Sequence, residues 1–181
     1  YDCIFKNNKC KRMDENDESA FGQGGALFIY QHNKFNILHC QFINNFASTH
    51  GGALFIQYRK VNPGDQPNQD AATINDCTFE NCFTDGNGGA LTSGIGDATG
   101  TKCDGDIIVD NCSFINCNAS NSGGAIMFLD GTVKGDEEKK INDCIFDHCS
   151  CINGACIYSL SYKFALEGST LPGKLADCSE K

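Results

Sequence analysis

"GGALF" stands at residues 24–28 and again at residues 51–55. Variants follow: GGALT from Gly88, GGAIM from Gly123 and NGACI from Asn153. Small residues followed by an apolar one, written again and again, mark a repeat architecture in which each unit solves the same local problem. A second phrase keeps step with the first. Cys3, Cys40, Cys77, Cys112, Cys144 and Cys178 are spaced 37, 37, 35, 32 and 34 residues apart. Two residues after the first five stand Phe5, Phe42, Phe79, Phe114 and Phe146, and two further on Asn7, Asn44, Asn81, Asn116 and His148. Three before the later cysteines stand Ile37, Ile74, Val109, Ile141 and Leu175. The unit reads I-x-x-C-x-F-x-N, a short gap, then G-G-A-L.

The period inside the unit is two, so Cys and Phe share one face of a strand. Ile4, Gln41, Thr78, Ser113 and Ile145 lie between them, a mixed set that suits an outer face. The step from Ile to Cys is three, which requires a bend or bulge. Asn tolerates left-handed dihedrals and suits the turn after Phe. The glycine pairs Gly24–Gly25, Gly51–Gly52, Gly88–Gly89 and Gly123–Gly124 form a structural corner, as a tight bend or a close backbone approach. Leu27, Leu54, Leu91, Ile126 and Cys156 then open a second strand with a buried side chain. Units of about 35 residues with strand periodicity predict an all-β solenoid, a right-handed parallel β-helix of about five rungs with variable loops. One domain spans 1–181, with repeats at about 1–34, 35–71, 72–106, 107–138 and 139–174 and the start of a further rung at 175–181. Equivalent side chains should stack at about 4.8 Å, Phe on Phe inside and Asn on Asn at a bend. Length variation falls in 57–71, 94–106, 130–140 and 159–174, with an insertion at 9–23. All three prolines lie in these segments, where no ladder hydrogen bond is lost.

The chain has 181 residues and a net charge of −9, and is 40% apolar. That supports one packed domain and argues against nucleic acid and anionic membrane surfaces, which need a basic footprint. No apolar run approaches the roughly 18 residues that span a bilayer, so no membrane insertion is expected. The first residue is Tyr, so the chain reads as a processed or excerpted piece. Thirteen cysteines favour an oxidising compartment, and the odd number leaves at least one thiol free or joined to another chain.

GGAL and GGAI, in phase with F-x-x-N at residues 5–8 and 42–45, resemble the repeats of the chlamydial polymorphic outer-membrane protein family. The resemblance covers nearly the whole chain. The later units depart from it, with Cys82, Cys117 and Cys149 in place of the last Asn. The resemblance implies a β-helical extracellular passenger for adhesion or surface structure, and it brings no catalytic residue.

Several constellations invite chemistry. Neighbouring rungs would bring Cα atoms to about 4.8 Å, inside the window for a disulfide. Cys3–Cys40, Cys77–Cys112, Cys144–Cys178 and Cys82–Cys117 are therefore candidate staples, against the alternative of stacked reduced thiols. Cys10, Cys103 and Cys151 fall outside these ladders and suit loop or inter-chain bonds. Cys144, His148, Cys149, Cys151 and Cys156 would suit zinc, but the ladders already account for most of them. The residue before each ladder Cys reads Asp2, His39, Asp76, Asn111, Asp143 and Asp177, where stacked carboxylates would repel unless a cation such as Ca2+ or an intervening His or Asn relieved them. No cofactor is expected. Asn118 and Asn111 open glycosylation sequons. Arg12 and Arg59 are the chain's two arginines and both fall between strands. Asp104, Asp106 and Asp110 could supply a catalytic carboxylate pair, but solvated loop acids explain them as well.

The chain is expected to be non-enzymatic, secreted or at the cell surface, and structural or adhesive. Cys178 would return the coil in phase to its starting strand, so copies could stack head-to-tail into a fibre or form part of a stalk. Glycans or host-surface proteins are the other expected partners. The alternative is a carbohydrate-binding or carbohydrate-active β-helix, with Tyr30, Tyr58 and Tyr158 as the aromatic contacts.

Overall fold

Asp2, His39, Asp76, Asn111 and Asp143 all have φ between 48° and 56°. Asn7, Asn44, Asn81, Asn116 and His148 have φ between 51° and 59°. Gly24, Gly51, Gly88 and Gly123 have φ between 62° and 69°. Left-handed residues of this kind reverse the local twist of an extended chain and turn it sharply. The first four units therefore each carry three such corners, and the described part of the fifth carries two, at Asp143 and His148. The computed structural model describes residues 1–13, 22–30, 34–57, 71–94, 105–129, 139–153, 156–160 and 164–171.

The strands follow one another as β1 (Ile4–Lys6), β2 (Lys9–Cys10), β3 (Leu27–Tyr30) and β4 (Phe35–Leu38), then β5 (Gln41–Ile43), β6 (Phe46–Ala47), β7 (Leu54–Gln57) and β8 (Ala71–Asn75). Next come β9 (Thr78–Glu80), β10 (Phe83–Thr84), β11 (Leu91–Ser93) and β12 (Asp106–Asp110), then β13 (Ser113–Ile115), β14 (Asn118–Ser122), β15 (Ile126–Phe128) and β16 (Lys139–Asn142). The last four are β17 (Ile145–Asp147), β18 (Ser150–Asn153), β19 (Ile157–Ser159) and β20 (Phe164–Glu167). Every fourth strand joins the same sheet, which gives four parallel sheets of five strands each. The fold is an all-β parallel solenoid.

Register makes columns of equivalent residues. Phe5, Phe42, Phe79, Phe114 and Phe146 pair in sequence. Their rings stack with centroids 4.8, 4.7, 4.9 and 4.9 Å apart and planes within 9°. Leu54, Leu91 and Ile126 form a second buried column and Ile74, Val109 and Ile141 a third. The core is thus a tube of stacked side chains, one set from each layer.

The frame departs from the sequence reading in three places. First, β20 pairs with β16 and sets Leu166 opposite Ile141. Gly168 then takes the left-handed corner with φ 60°, and Ser169 Oγ accepts from Cys144 N at 3.0 Å. The sixth place is therefore held by Leu166 and Ser169, while Leu175 and Cys178 lie outside the described residues. Leu166 and Leu171 replace Ile and Phe against the core, so this layer kept its apolar pattern while losing the Cys that marked it. Second, Ile157 pairs with Ile126, and Cys156 stands at the place of Ala125, accepting through its carbonyl from Ala125 N and Ile126 N. The motif at Asn153 is shifted by one from its reading in sequence, with Asn153 opposite Ser122. Third, Lys9 and Cys10 form β2 rather than opening an insertion.

Candidate functional site

The glycine corner works through a division of labour. Gly51 takes the left-handed turn, φ 62°. Gly52 gives the close approach: a Cβ there would stand 2.0 Å from Gly89 O and 2.5 Å from Phe83 O. The two alternatives left open by the sequence are both used, one by each glycine of the pair.

The Asn positions owe their identity mainly to the left-handed dihedral. Asn44 Nδ2 donates to Asn7 Oδ1 at 3.2 Å, while Asn81 Nδ2 turns to Glu80 Oε1 at 3.4 Å. The amide ladder is made at one step and broken at the next. The following position has a different task. Asn45 Nδ2 donates to Phe5 O at 2.9 Å. Cys82 Sγ donates to Phe42 O, Cys117 Sγ to Phe79 O and Cys149 Sγ to Phe114 O, each at 3.4 Å. The Asn-to-Cys departure thus retains a donor for the preceding layer's Phe carbonyl.

The first cysteine column behaves similarly. Cys77 Sγ points to Asn75 O at 3.2 Å and Ile37 O at 3.5 Å, and Cys112 Sγ to Asp110 O at 3.2 Å and Ile74 O at 3.5 Å. Cys40 N donates to Cys77 Sγ, and Cys112 N to Cys144 Sγ, both at 3.4 Å. All eleven described cysteines are free thiols. The staples Cys3–Cys40, Cys77–Cys112 and Cys82–Cys117 are therefore stacked but unbonded. In-register stacking holds Cβ atoms near 4.8 Å, wider than the roughly 3.8 Å mean of a disulfide, and each Sγ is engaged at a carbonyl. Contacts between thiols split their acidities. The Cys112 thiol lowers Cys77, while hydrogen bonds to Cys144 and Cys77, with burial, raise Cys112. Burial, then contacts with Cys149 and Cys82, raises Cys117. Cys10 and Cys151 are not loop residues: they pair with Ala47 and Ala119 at opposite ends of one column. Cys103 lies outside the described residues.

In the corner column before the cysteines, Asp76 is engaged by its neighbours. Asp76 meets His39 Nδ1 at 3.8 Å on one side and Asn111 Nδ2 on the other. Gly168 takes the corner that follows Asp143 in this column, and Asp177 lies outside the described residues. Among the described residues no three His, Cys, Asp or Glu side chains converge as a metal would need. Asp106 and Asp110 share one face of β12 at about 13 Å along the strand, beyond the roughly 5–9.5 Å of paired catalytic carboxylates. Asp104 lies outside the described residues, as do Arg59 and Tyr58. Asn118 Nδ2 donates to Asn116 O at 2.9 Å and its Oδ1 accepts from Ser150 Oγ at 2.6 Å, while Asn111 occupies a corner.

Tyr30 is exposed and Tyr158 half-buried. The sequence reading missed a further aromatic pair on the outer face. Phe46 and Phe83 pair across β6 and β10 on the side opposite buried Ala47 and Thr84, and their rings stack at 5.7 Å. Their common spacing from Asn44 and Asn81 is the signal that could have found them. Beside Phe46 a cleft of about 340 Å³ is lined by Lys11, Arg12, Ser48 and Asp85.

Residues 39–57 match the Chlamydia polymorphic membrane protein (Chlamydia_PMP) repeat. That segment runs from the corner at His39 through β5, β6 and the glycine pair to the end of β7. The same corners recur before and after it, so the match and the parallel solenoid together fit the family resemblance. That family is associated with the outer membrane and the cell surface. No curated protein and no solved structure gives a significant match. Among the described residues no helix is long and apolar enough to cross a membrane.

Proposed function

We propose that the chain is a non-enzymatic surface element, a stiff β-solenoid that holds an adhesive face away from its anchor. The observation that carries this reading is the surface-protein repeat at residues 39–57, set in a frame whose corners continue through the neighbouring layers. Stacked parallel sheets make a rod in which every layer supports the next, and loops leave it sideways, which suits display better than turnover. Two further features support it. The acids of β12 are too far apart to act as a pair, and the column at Asp76 is spent on its neighbours.

Beads carrying the purified chain should adhere to cultured epithelial monolayers, and beads carrying heat-unfolded chain should not. Equal adherence of both would sink the adhesive reading. Release of reducing ends from a polysaccharide panel would replace it with the enzymatic one.

A further inference from the structure

The cleft beside Phe46 gathers unlike groups. Arg12 Nε is buried and has no hydrogen-bond partner among the described residues, and Arg12 lines this cleft. A buried guanidinium nitrogen left unpaired is costly, and native proteins rarely keep one without a use. The Arg12 backbone is fixed, because its N donates to Ser48 Oγ at 2.8 Å. That bond leaves the Ser48 hydroxyl hydrogen free to point into the cleft. Asp85, which is exposed, also lines the cleft and offers an acceptor. The stacked Phe46–Phe83 pair supplies an apolar ledge, with Phe83 37% exposed. Lys9 pairs with Phe46 in register, so the ledge continues into a cationic end. Lys6, Lys9, Lys11 and Arg12 all fall within residues 6–12 of a chain whose net charge is −9. Of these, Lys11 and Arg12 line the cleft itself, and Lys9 stands in register beside Phe46.

We propose that the cleft binds an acidic sugar residue, a pyranose bearing a carboxylate. Guanidinium and ammonium groups recognise carboxylates through charge-assisted hydrogen bonds, and Arg12 and Lys11 present both. The C–H face of a pyranose ring is apolar and packs on an aromatic face such as Phe46. Asp85 accepts from, and Ser48 donates to, the ring hydroxyls. The cleft volume of about 340 Å³ falls in the roughly 300–1,000 Å³ range of small-ligand sites, enough for one sugar residue. The assignment deepens the adhesive reading and rests on it, since a surface rod that holds terminal acidic sugars adheres to glycan-coated cells.

The test is titration of the full chain with methyl glucuronide, methyl glucoside and inorganic sulfate, followed through the backbone amide resonances of Phe46 and Ser48. The glucuronide should bind and shift both amides, and the neutral glucoside should bind about ten-fold more weakly for want of the charged contact. Arg12→Gln should weaken the glucuronide about ten-fold, and the exposed Lys11→Gln should do so to a smaller extent without risk to folding. Phe46→Ala should weaken the glucuronide while leaving sulfate unchanged. No shift with glucuronide, or equal affinity in wild type and both charge variants, would overturn the site. Equal affinity for sulfate and glucuronide would reduce it to an anion site and overturn the sugar assignment. Cell adhesion that survives in an Arg12→Gln chain no longer binding glucuronide would remove this cleft from adhesion and leave the adhesive reading standing.

Discussion

At Gly52 the corner leaves no room for even one methyl group. The atoms that a Cβ would strike, Gly89 O and Phe83 O, are backbone and cannot rotate away. Gly52→Ala should therefore cost about 2–3 kcal/mol, read as a lowered urea midpoint, by forcing adjacent layers apart. An unchanged midpoint would mean that the corner can relax. A different cost attaches to the second cysteine column. Cys117 is fully buried and its thiol satisfies Phe79 O. Cys117→Ala removes this side-chain donor and leaves a small void in the core, and should cost about 1–3 kcal/mol in the same assay. His50 is a third case. It stacks near Phe55 and touches Asn87 Nδ2, and burial lowers its pKa below the usual 6.5. The unfolded chain then takes up the proton first, so stability falls as pH drops through about 6.5 and levels off below the folded-state pKa. His50→Gln introduces the residue that Gln23 already supplies in this column, and should flatten that fall between urea melts at about pH 7.5 and about pH 5.5.

The strands are two to five residues long, too short to stand alone, and draw their stability from the columns they build. The phenylalanine column is the clearest example. Phe79 lies between Phe42 and Phe114 with both rings nearly parallel to its own, and it is fully buried. Phe79→Ala should cost about 3–5 kcal/mol, because the cavity opens in the middle of a stack. Phe5→Ala removes a half-buried ring with one stacking partner, and thermal melts should place it well above Phe79→Ala. Equal losses would show that the column does not act as a continuous stack. The apolar period of two around Phe was legible in the sequence, since inner and outer residues alternate along the strands that carry it. The left-handed corner before Cys was visible only as an awkward step of three. Asp, His and Asn at that position read as an outer column of charge, although their shared property is the dihedral.

At the scale of the whole molecule, one column of thiols runs from Cys3 to Cys144 and a second takes over from Asn45 at Cys82 and continues to Cys149, none of them joined in a disulfide. Native alkylation followed by mass spectrometry should label exposed Cys3 first and half-buried Cys10 and Cys151 next, and should spare Cys77, Cys82, Cys112 and Cys117 until the chain is unfolded. A cross-linked peptide joining Cys77 to Cys112 in non-reduced material would contradict the free columns. By itself the sequence determined the solenoid, its inner Phe column and the placing of the glycine corners, because a stacked fold repeats the same steric demand once per layer and so prints it at a steady interval. It did not determine which residues follow the fifth layer. There Leu166, Gly168, Ser169 and Leu171 meet the same demands with other residues, and only the pairing of β20 with β16 reveals them. Nor could it assemble the cleft. Arg12, Ser48 and Asp85 come from three layers and meet because parallel stacking folds a separation of some 36 residues into adjacent strands. Only the tertiary structure decides such neighbours, since side chains far apart along the chain become adjacent through inter-strand register, which no local pattern states.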